Sequence, residues 1–218
     1  MLCLYWIEKW WEKIMIPKEK FDAHLISGGK RGPNWFKSTS PYGYNIAECI
    51  SALVKEIRFG QEEDAVFWGH QVAISGHDAE KFLWEILRVH SIEECGLANP
   101  GAITTITDTM HLYFDLPERD DRRYAMLAFA VCYLSRSKKT RYSNELFTKM
   151  ICQLRDGDYN KQIPDRAIDV HLKKGREMGR GHNHYLTVAS VLVNEDDSFP
   201  KQVREWLVER SEKFENKS

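Results

Sequence analysis

The chain has 218 residues, 43% of them hydrophobic and 12% aromatic, which excludes a disordered composition and is enough to bury one globular core. Lys and Arg number 31 against 32 Asp and Glu, so no global field steers the protein toward nucleic acid or anionic lipid. Any such binding must depend on local patches. The five cysteines are widely spaced and form no C-x-x-C pair, which favours reduced thiols in a cytoplasmic protein over a disulfide or zinc framework.

The first 43 residues are expected to form an arm and a linker. In residues 1–15, Trp6, Trp10 and Trp11 recur with other apolar residues at roughly helical spacing. Three interpretations remain open: a helix that docks on the body or on another subunit, an interfacial membrane helix, or a non-native extension with Met15 as the biological start. Docking or an extension is favoured because basic residues do not dominate the polar side. Residues 17–43 are rich in turn formers.

The best-marked helix lies in residues 77–96. Asp78 is expected to cap it and Gly96 to end it. Its apolar positions recur at three- and four-residue steps, and a stripe this wide needs partners on several sides. These positions are Phe82, Leu83, Trp84, Ile86, Leu87, Val89 and Ile92.

Similar patterns on both sides predict further helices, and therefore a compact all-α, multi-helix array. Residues 125–134 are apolar all round, so we expect this helix to be buried on every side, although the run is shorter than the about 20 residues that span a bilayer. The Val-rich residues 185–193 fit either a helix or a strand. We expect helices to end at or near Gly60, Gly76 and Gly157, and to begin at the Asn99–Pro100 pair and near Pro200, with Ser198 as a cap.

Four segments of the sequence resemble one known family. Residues 44–68 resemble the opening of its helical region, and residues 89–100, V-H-S-I-E-E-C-G-L-A-N-P, are similar to a signature with an acidic pair, a Gly and an Asn-Pro step. Residues 133–142, Y-L-S-R-S-K-K-T-R-Y, resemble its Tyr-Leu run, with Thr140 and Arg141 in place of the usual Ser-Asn. Residues 163–181 resemble its His-Leu region and Gly-rich follower. The family is the replication-associated recombination protein A, or MgsA, family of AAA+ ATPases, and the likeness is to its C-terminal region.

The resemblance implies a clamp-loader-like helical collar that forms tetramers and supports proteins at stalled or damaged replication forks. The 218 residues contain no Walker A or Walker B sequence, so we expect a region standing alone without the ATPase domain: a non-catalytic oligomerisation or adaptor module that needs no cofactor. The expected partners are other copies of the chain, a replication or repair protein, a separate AAA+ ATPase or DNA, and no membrane. The expected organisation is an arm in residues 1–43, the helical domain in residues 44–193, and a final amphipathic helix packed on it in residues 194–218.

An alternative hypothesis is direct DNA binding through basic residues near two helix junctions. If the junctions lie side by side, their cations would form a patch for phosphates. The simpler interpretation is solvated helix ends, where Lys and Arg are also favourable. The candidate residues are Lys138, Lys139 and Arg141 at one junction and Lys173, Lys174, Arg176 and Arg180 at the other.

A third hypothesis is a helical metalloenzyme that uses His171, His182 and His184, because a His-x-His loop can converge on a metal ion. Packing or capping is the favoured role of His171. The acidic residues 62–64 fit the start of a helix, where they complement its dipole. Glu93 and Glu94 fall at a helix C-terminus, where carboxylates are unfavourable, so we expect one of them to have an Arg or a backbone amide as a structural partner.

Overall fold

The computed structural model describes residues 34–118, 120–158, 160–196 and 198–215. The predictions for the Trp-rich residues 1–15 and most of the arm lie outside this part. The described chain is helical, which confirms the predicted all-α fold class, and its one β-type pairing is an isolated bridge between Thr39 and Asn45. None of the described helices is long and apolar enough to cross a bilayer.

The chain divides into two compact units, residues 1–159 and residues 160–218. The described helices of the first unit are α1 (Ile46–Phe59), α2 (Glu62–Ala73), α3 (His77–His90), α4 (Ala102–Asp115), α5 (Arg122–Arg136) and α6 (Tyr142–Asp156). A 3-10 turn, Asn34–Lys37, precedes α1, and a π-helical turn, Ser91–Cys95, and a 3-10 turn, Gly96–Ala98, follow α3. The second unit contains a 3-10 turn at Asp165–Ala167, short helices α7 (Lys173–Glu177) and α8 (His182–His184), a π-helical turn at Tyr185–Ala189, and α9 (Gln202–Glu215).

The core of the first unit lies between α1, α2, α3, α4 and α5, with α2 packed on both α1 and α5. The central helix α3 contributes Leu83, Trp84 and Leu87, all fully buried as its stripe predicts. Val89 and Ile92 were expected in the same stripe but are exposed. Val89 lies two residues after Leu87 and therefore on the opposite side of α3. Ile92 lies in the π-helical turn that the chain enters after His90, and the wider turn rotates its side chain away from the 3.6-residue register.

Several helix ends differ from the sequence-based prediction. Asp78 does not cap α3, because the helix already begins at His77 and its start has no side-chain cap. Asn99 does not cap α4, which begins at Ala102, because its side chain bonds elsewhere. Ser198 lies four residues before the start of α9 and is not its cap.

The glycine stop signals at Gly60 and Gly157 are confirmed, whereas α2 ends at Ala73, three residues before Gly76, which directly precedes α3. Gly60 and Gly157 end α1 and α6 in the left-handed conformation, with φ of +76° and +79°. Gly96, at φ +44°, ends the π-helical turn. Few residues other than glycine adopt these angles without strain, which is why a sequence marks such ends clearly.

Helix α5 is not buried on every side, contrary to the expectation for residues 125–134. Leu127, Ala130 and Val131 face the core, but Phe129 is about half exposed. This helix is therefore buried on one side and exposed on the other although its sequence is apolar all round, because neighbouring helices cover only one side.

The second unit has a small interior. Among its described residues, Ile168, Gly175 and Ser211 are buried. The final helix α9 packs on α8 and on the turn at Tyr185–Ala189. Residues 185–193, whose sequence fits either a helix or a strand, therefore begin with a π-helical turn. Most of the large apolar side chains of α9 remain exposed.

Candidate functional site

Glu94 lies in the π-helical turn after α3, with 3% of its side chain exposed. Arg58, in the last turn of α1, donates to both carboxylate oxygens, and its Nη2 is 2.7 Å from Oε1. The Nε of Arg141, just before α6, lies 3.7 Å from the same oxygen. The N–H of Thr140 donates to the Glu94 carbonyl oxygen at 2.7 Å. These four residues are the Glu94 cluster. They confirm an Arg as the structural partner of one carboxylate of the acidic pair, whereas the backbone amide of Thr140 binds the main-chain carbonyl oxygen.

The charges of the Glu94 cluster depend on burial and on the two guanidinium groups. Burial raises the pKa of Glu94, but the hydrogen bonds from Arg58 and the charges of Arg58 and Arg141 outweigh it, and the pKa is below its usual range. Burial lowers the pKa of His90 to about 4, against the opposing charge of Glu94. At neutral pH, Glu94 is therefore charged and His90 is neutral.

A second set of hydrogen bonds joins the same parts of the chain. The side-chain amide of Asn99 donates to the Tyr133 hydroxyl at 3.1 Å and to the Ser137 hydroxyl at 2.9 Å. Gly96 lies against the carbonyl oxygen of Thr140, and a Cβ there would be 3.5 Å from it. Residues 89–100 and 133–142 thus contact each other directly.

Three of the four segments that carry the family resemblance meet at this place. Arg58 belongs to residues 44–68, Glu94 and Asn99 to residues 89–100, and Arg141 to residues 133–142. The sequence shows the order of the segments, whereas the structure shows that their polar residues serve one junction between α1, α3, α5 and α6. The chemistry of the junction is structural, because its carboxylate is buried and matched by cations.

The fourth segment, residues 163–181, forms a separate set of contacts in the second unit. Arg180 donates to the backbone carbonyl oxygens of Asp165 and Ile168 and, at 2.6 Å, to the Asp165 carboxylate. Gly175 lies so close to the carbonyl oxygen of Asp169 that a Cβ would overlap it. The close approach, and not the backbone conformation, is what requires glycine here, because the φ of Gly175 is outside the left-handed region.

The basic candidates of the first unit have different environments. Lys139 donates to the carbonyl oxygens of Ser135 and Ser137 at 2.7 and 3.1 Å, and burial lowers its pKa. Arg141 faces Glu94. Lys138 is exposed and forms no hydrogen bond or ion pair with any residue that the structure describes. Of the three, Lys138 is therefore the cation best able to reach a phosphate.

The basic candidates of the second unit also divide by environment. Arg176 donates to the carbonyl oxygens of Val170 and His171, and Arg180 is held by Asp165 and Ile168. Lys173 pairs with Glu177 at 3.5 Å on the surface, and Lys174 is exposed. Two of the four cations therefore stabilise the local fold. A joint patch with the first group stays a prediction.

The histidine candidates do not converge within the described residues. The Nδ1 of His171 lies 3.1 Å from Asp169 Oδ1, and its ring contacts Tyr185 edge-on at 4.9 Å. Across the described ranges, no group of three or more His, Cys, Asp or Glu side chains is arranged to hold a metal ion. His171 is hydrogen-bonded locally with 64% of its side chain exposed, and its packing or capping role stays a prediction.

A second buried polar cluster was missed in the sequence. Glu80 of α3, 8% exposed, accepts hydrogen bonds at its Oε1 from the Tyr113 hydroxyl at 2.5 Å and from Arg123 Nη1 at 3.2 Å. Burial and the bond to Glu80 raise the pKa of Tyr113. The sequence feature that could have predicted the burial of Glu80 is its position. It lies three residues before Leu83 and four before Trp84, and therefore on the same side of the helix as the apolar stripe.

Comparison with known proteins agrees with three of the four segments in full and with the end of the first, residues 60–68. The family model described as MgsA AAA+ ATPase C terminal matches residues 60–218. The chain is 26% identical over 147 residues to "Replication-associated recombination protein A" of Escherichia coli strain K12, and equally to that of Escherichia coli O157:H7. Each alignment covers 65% of this chain and 31% of the relative, so the chain matches about a third of the length of these curated relatives. Because the family model matches more than half of its residues, the chain belongs to the MgsA AAA+ ATPase C-terminal family.

Proposed function

We propose that the chain is a non-catalytic helical module that mediates oligomerisation and serves as an adaptor in replication-associated recombination. We place it in the cytoplasm. The observation that carries this proposal is an apolar row on α6. Its large side chains are each about half exposed or more, while Ile151 is the one residue of the helix that is buried. This row, called here the α6 apolar face, consists of Tyr142, Leu146, Phe147 and Leu154.

The spacing of these residues makes them a continuous surface. Leu146 and Leu154 lie eight residues apart and Phe147 lies seven before Leu154, so all three project on the same side of the helix. An exposed apolar row of this kind is a usual sign of a protein–protein interface. The Glu94 cluster fixes the start of the helix through Thr140 and Arg141, which holds the row in place.

The partner that we propose first is another copy of the chain, in a tetramer. The family link supports this, together with the exposed apolar side chains of α6 and α9. A replication or repair protein, or a separate AAA+ ATPase, is the second kind of partner, and it would use the surface left free by the assembly.

Substitution of the α6 apolar face tests the proposal. The double variant Leu146→Glu with Phe147→Glu places two charges in the row, and we expect it to dissociate the assembly while circular dichroism shows an unchanged helix content. Thr148→Glu is the matched control, because Thr148 is exposed on the opposite side of the same helix. Equal behaviour of the double variant and the control in analytical ultracentrifugation would contradict the proposed interface.

Direct DNA binding is the second candidate function. The observation that favours it is the pair of exposed side chains Lys138 and Tyr142, a cation and an aromatic ring four residues apart at the α5–α6 junction. The exposed Lys173 and Lys174 offer the same charge in the second unit.

Salt dependence distinguishes phosphate contacts from other binding. If these lysines contact DNA, affinity for forked DNA falls steeply with salt, and Lys173→Glu with Lys174→Glu abolishes it. Lys138→Ala is expected to lower the slope of log affinity against log salt by about 1. Lys81→Ala, which removes an exposed lysine of α3, is the control. Indifference to salt and to both changes would dismiss DNA binding.

A further inference from the structure

A cavity of about 250 Å³ lies in the first unit, where the end of α2 and the start of α3 meet α4 and α5. Glu80 and Tyr113 form its polar interior, Ile74 and the ring of Tyr124 its apolar walls, and Glu118 part of its lining. The cavity is smaller than the roughly 300–1,000 Å³ of sites for drug-sized ligands. Its size suits the end of one side chain rather than a nucleotide.

The carboxylate of Glu80 presents one oxygen without a hydrogen-bond donor. Oε1 accepts from both Tyr113 and Arg123, whereas no described residue donates to Oε2, and His77 Nδ1 is 3.8 Å from it. Glu80 is 8% exposed as a residue, with 11% of its side chain exposed, and it lines the cavity. A carboxylate oxygen that accepts no hydrogen bond from the described residues is a strong acceptor for a ligand that enters the cavity.

Arg123 does not make the cavity an anion site, although it is part of the lining. Its Nη1 donates to Glu80, and its Nε and Nη2 donate to the carbonyl oxygen of Leu116 at 3.1 and 2.5 Å. The guanidinium is thus committed to the protein on both sides. An anion would also meet the carboxylates of Glu80 and Glu118.

A second carboxylate stands near the first. Glu118, with 76% of its side chain exposed, has Oε1 3.9 Å from His77 Nδ1, and the same nitrogen is 3.8 Å from Glu80 Oε2. The two carboxylates therefore both lie close to one imidazole nitrogen.

We propose that this cavity binds the cationic end of a lysine or arginine side chain from a partner protein. The ammonium or guanidinium donates to Glu80 Oε2 and Glu118, and the alkyl stem packs on Ile74 and Tyr124. Such charge-assisted hydrogen bonds are the strong ones in a partly desolvated site. The proposal is independent of assembly through α6, because it concerns the other end of the helical core and a different chemistry.

Methyl NMR of Ile74 in the full chain tests the proposal directly. The probes are Nα-acetyl-lysine N-methylamide and Nα-acetyl-arginine N-methylamide, with Nα-acetyl-norleucine N-methylamide as an uncharged control that keeps an alkyl stem. We expect saturable shifts of the Ile74 methyl signal with at least one cationic probe and none with the control. Glu80→Gln is expected to weaken binding by about tenfold, the effect of one lost charge-assisted hydrogen bond.

Glu118→Gln tests binding without destabilising the fold, because Glu118 is mostly exposed and its substitution leaves the buried cluster of Glu80, Tyr113 and Arg123 intact. It should weaken binding several-fold, while Glu63→Gln, an exposed acid at the start of α2, should change nothing. Equal shifts from the norleucine probe, no saturable shift from either cationic probe, or unchanged affinity in Glu118→Gln would overturn the proposal.

Discussion

Arg58 and Glu94, 36 residues apart, form a hydrogen-bonded ion pair that joins the end of α1 to the π-helical turn after α3. Arg58 Nε lies 3.2 and 3.3 Å from the two carboxylate oxygens, and Nη2 lies 2.7 Å from Oε1. The Glu94 side chain is almost fully buried, and Arg141 approaches it from the start of α6. One carboxylate therefore fixes the relative positions of three helices.

Removal of the Arg58 charge should destabilise the first unit. In Arg58→Met, the buried carboxylate of Glu94 keeps the longer contact with Arg141 at 3.7 Å and the neutral imidazole of His90 at 3.9 Å. We therefore expect a loss of about 3 kcal/mol in the free energy of unfolding. Urea denaturation at neutral pH measures it. The double variant Arg58→Met with Glu94→Gln should recover part of the loss, because no unmatched charge remains buried. A loss below about 0.5 kcal/mol, typical of an exposed ion pair, would contradict this account.

The stability of the first unit should fall as the pH decreases from 6.5 to 4. His90 has a pKa of about 4 in the folded protein against 6.5 ordinarily, so in this interval the unfolded state binds a proton that the folded state does not. Stability attributable to His90 therefore decreases by up to about 1.4 kcal/mol per pH unit. The wild type and His90→Leu are compared by urea denaturation across the interval. Parallel pH profiles would show that His90 is not held neutral by burial.

The stability that the charge of Glu94 contributes should be lost at a lower pH than the contribution of His90. Its pKa in the folded protein is lowered, so the stability from its charge is present above the ordinary carboxyl pKa of about 4.3 and disappears as the pH falls through the folded value. Glu94→Gln should show a shallower loss of stability below pH 4.3 than the wild type. A midpoint of acid unfolding and a slope identical to those of the wild type would exclude this contribution.

Gly175→Ala should disrupt the segment around residues 163–181. The added methyl group would overlap the carbonyl oxygen of Asp169, a backbone atom that is not free to move away. We expect amide hydrogen exchange to accelerate in this segment while the first unit keeps its protection. Gly101→Ala is the control, since a Cβ there meets only Asn99 Oδ1 at 3.8 Å. Unchanged exchange in Gly175→Ala would show that the close approach does not exist in solution.

Apolar periodicity and glycine stops were the most informative features of the sequence. Leu83, Trp84 and Leu87 are buried as predicted, and Gly60 and Gly157 end helices as predicted, because each property depends on residues close in sequence. The expected partner of the acidic pair was also found. That inference used only the unfavourable position of a carboxylate at a helix C-terminus.

Features that depend on distant residues were not predicted. Glu80 is buried because Tyr113 and Arg123, 33 and 43 residues away, supply its donors. Asn99 was expected to cap a helix, but Tyr133 and Ser137 bind its amide instead. Local patterns contain no information about such partners, and the same holds for the π-helical turn that moves Ile92 to the surface.

The mass of the chain in solution shows whether the protein assembles through the α6 apolar face. Light scattering coupled to size exclusion, at two protein concentrations, gives this mass for the wild type and for Leu146→Glu with Phe147→Glu. We expect a tetramer of the 25.5 kDa chain at both concentrations, and a smaller species in the variant. A strict monomer of the wild type at both concentrations would contradict it.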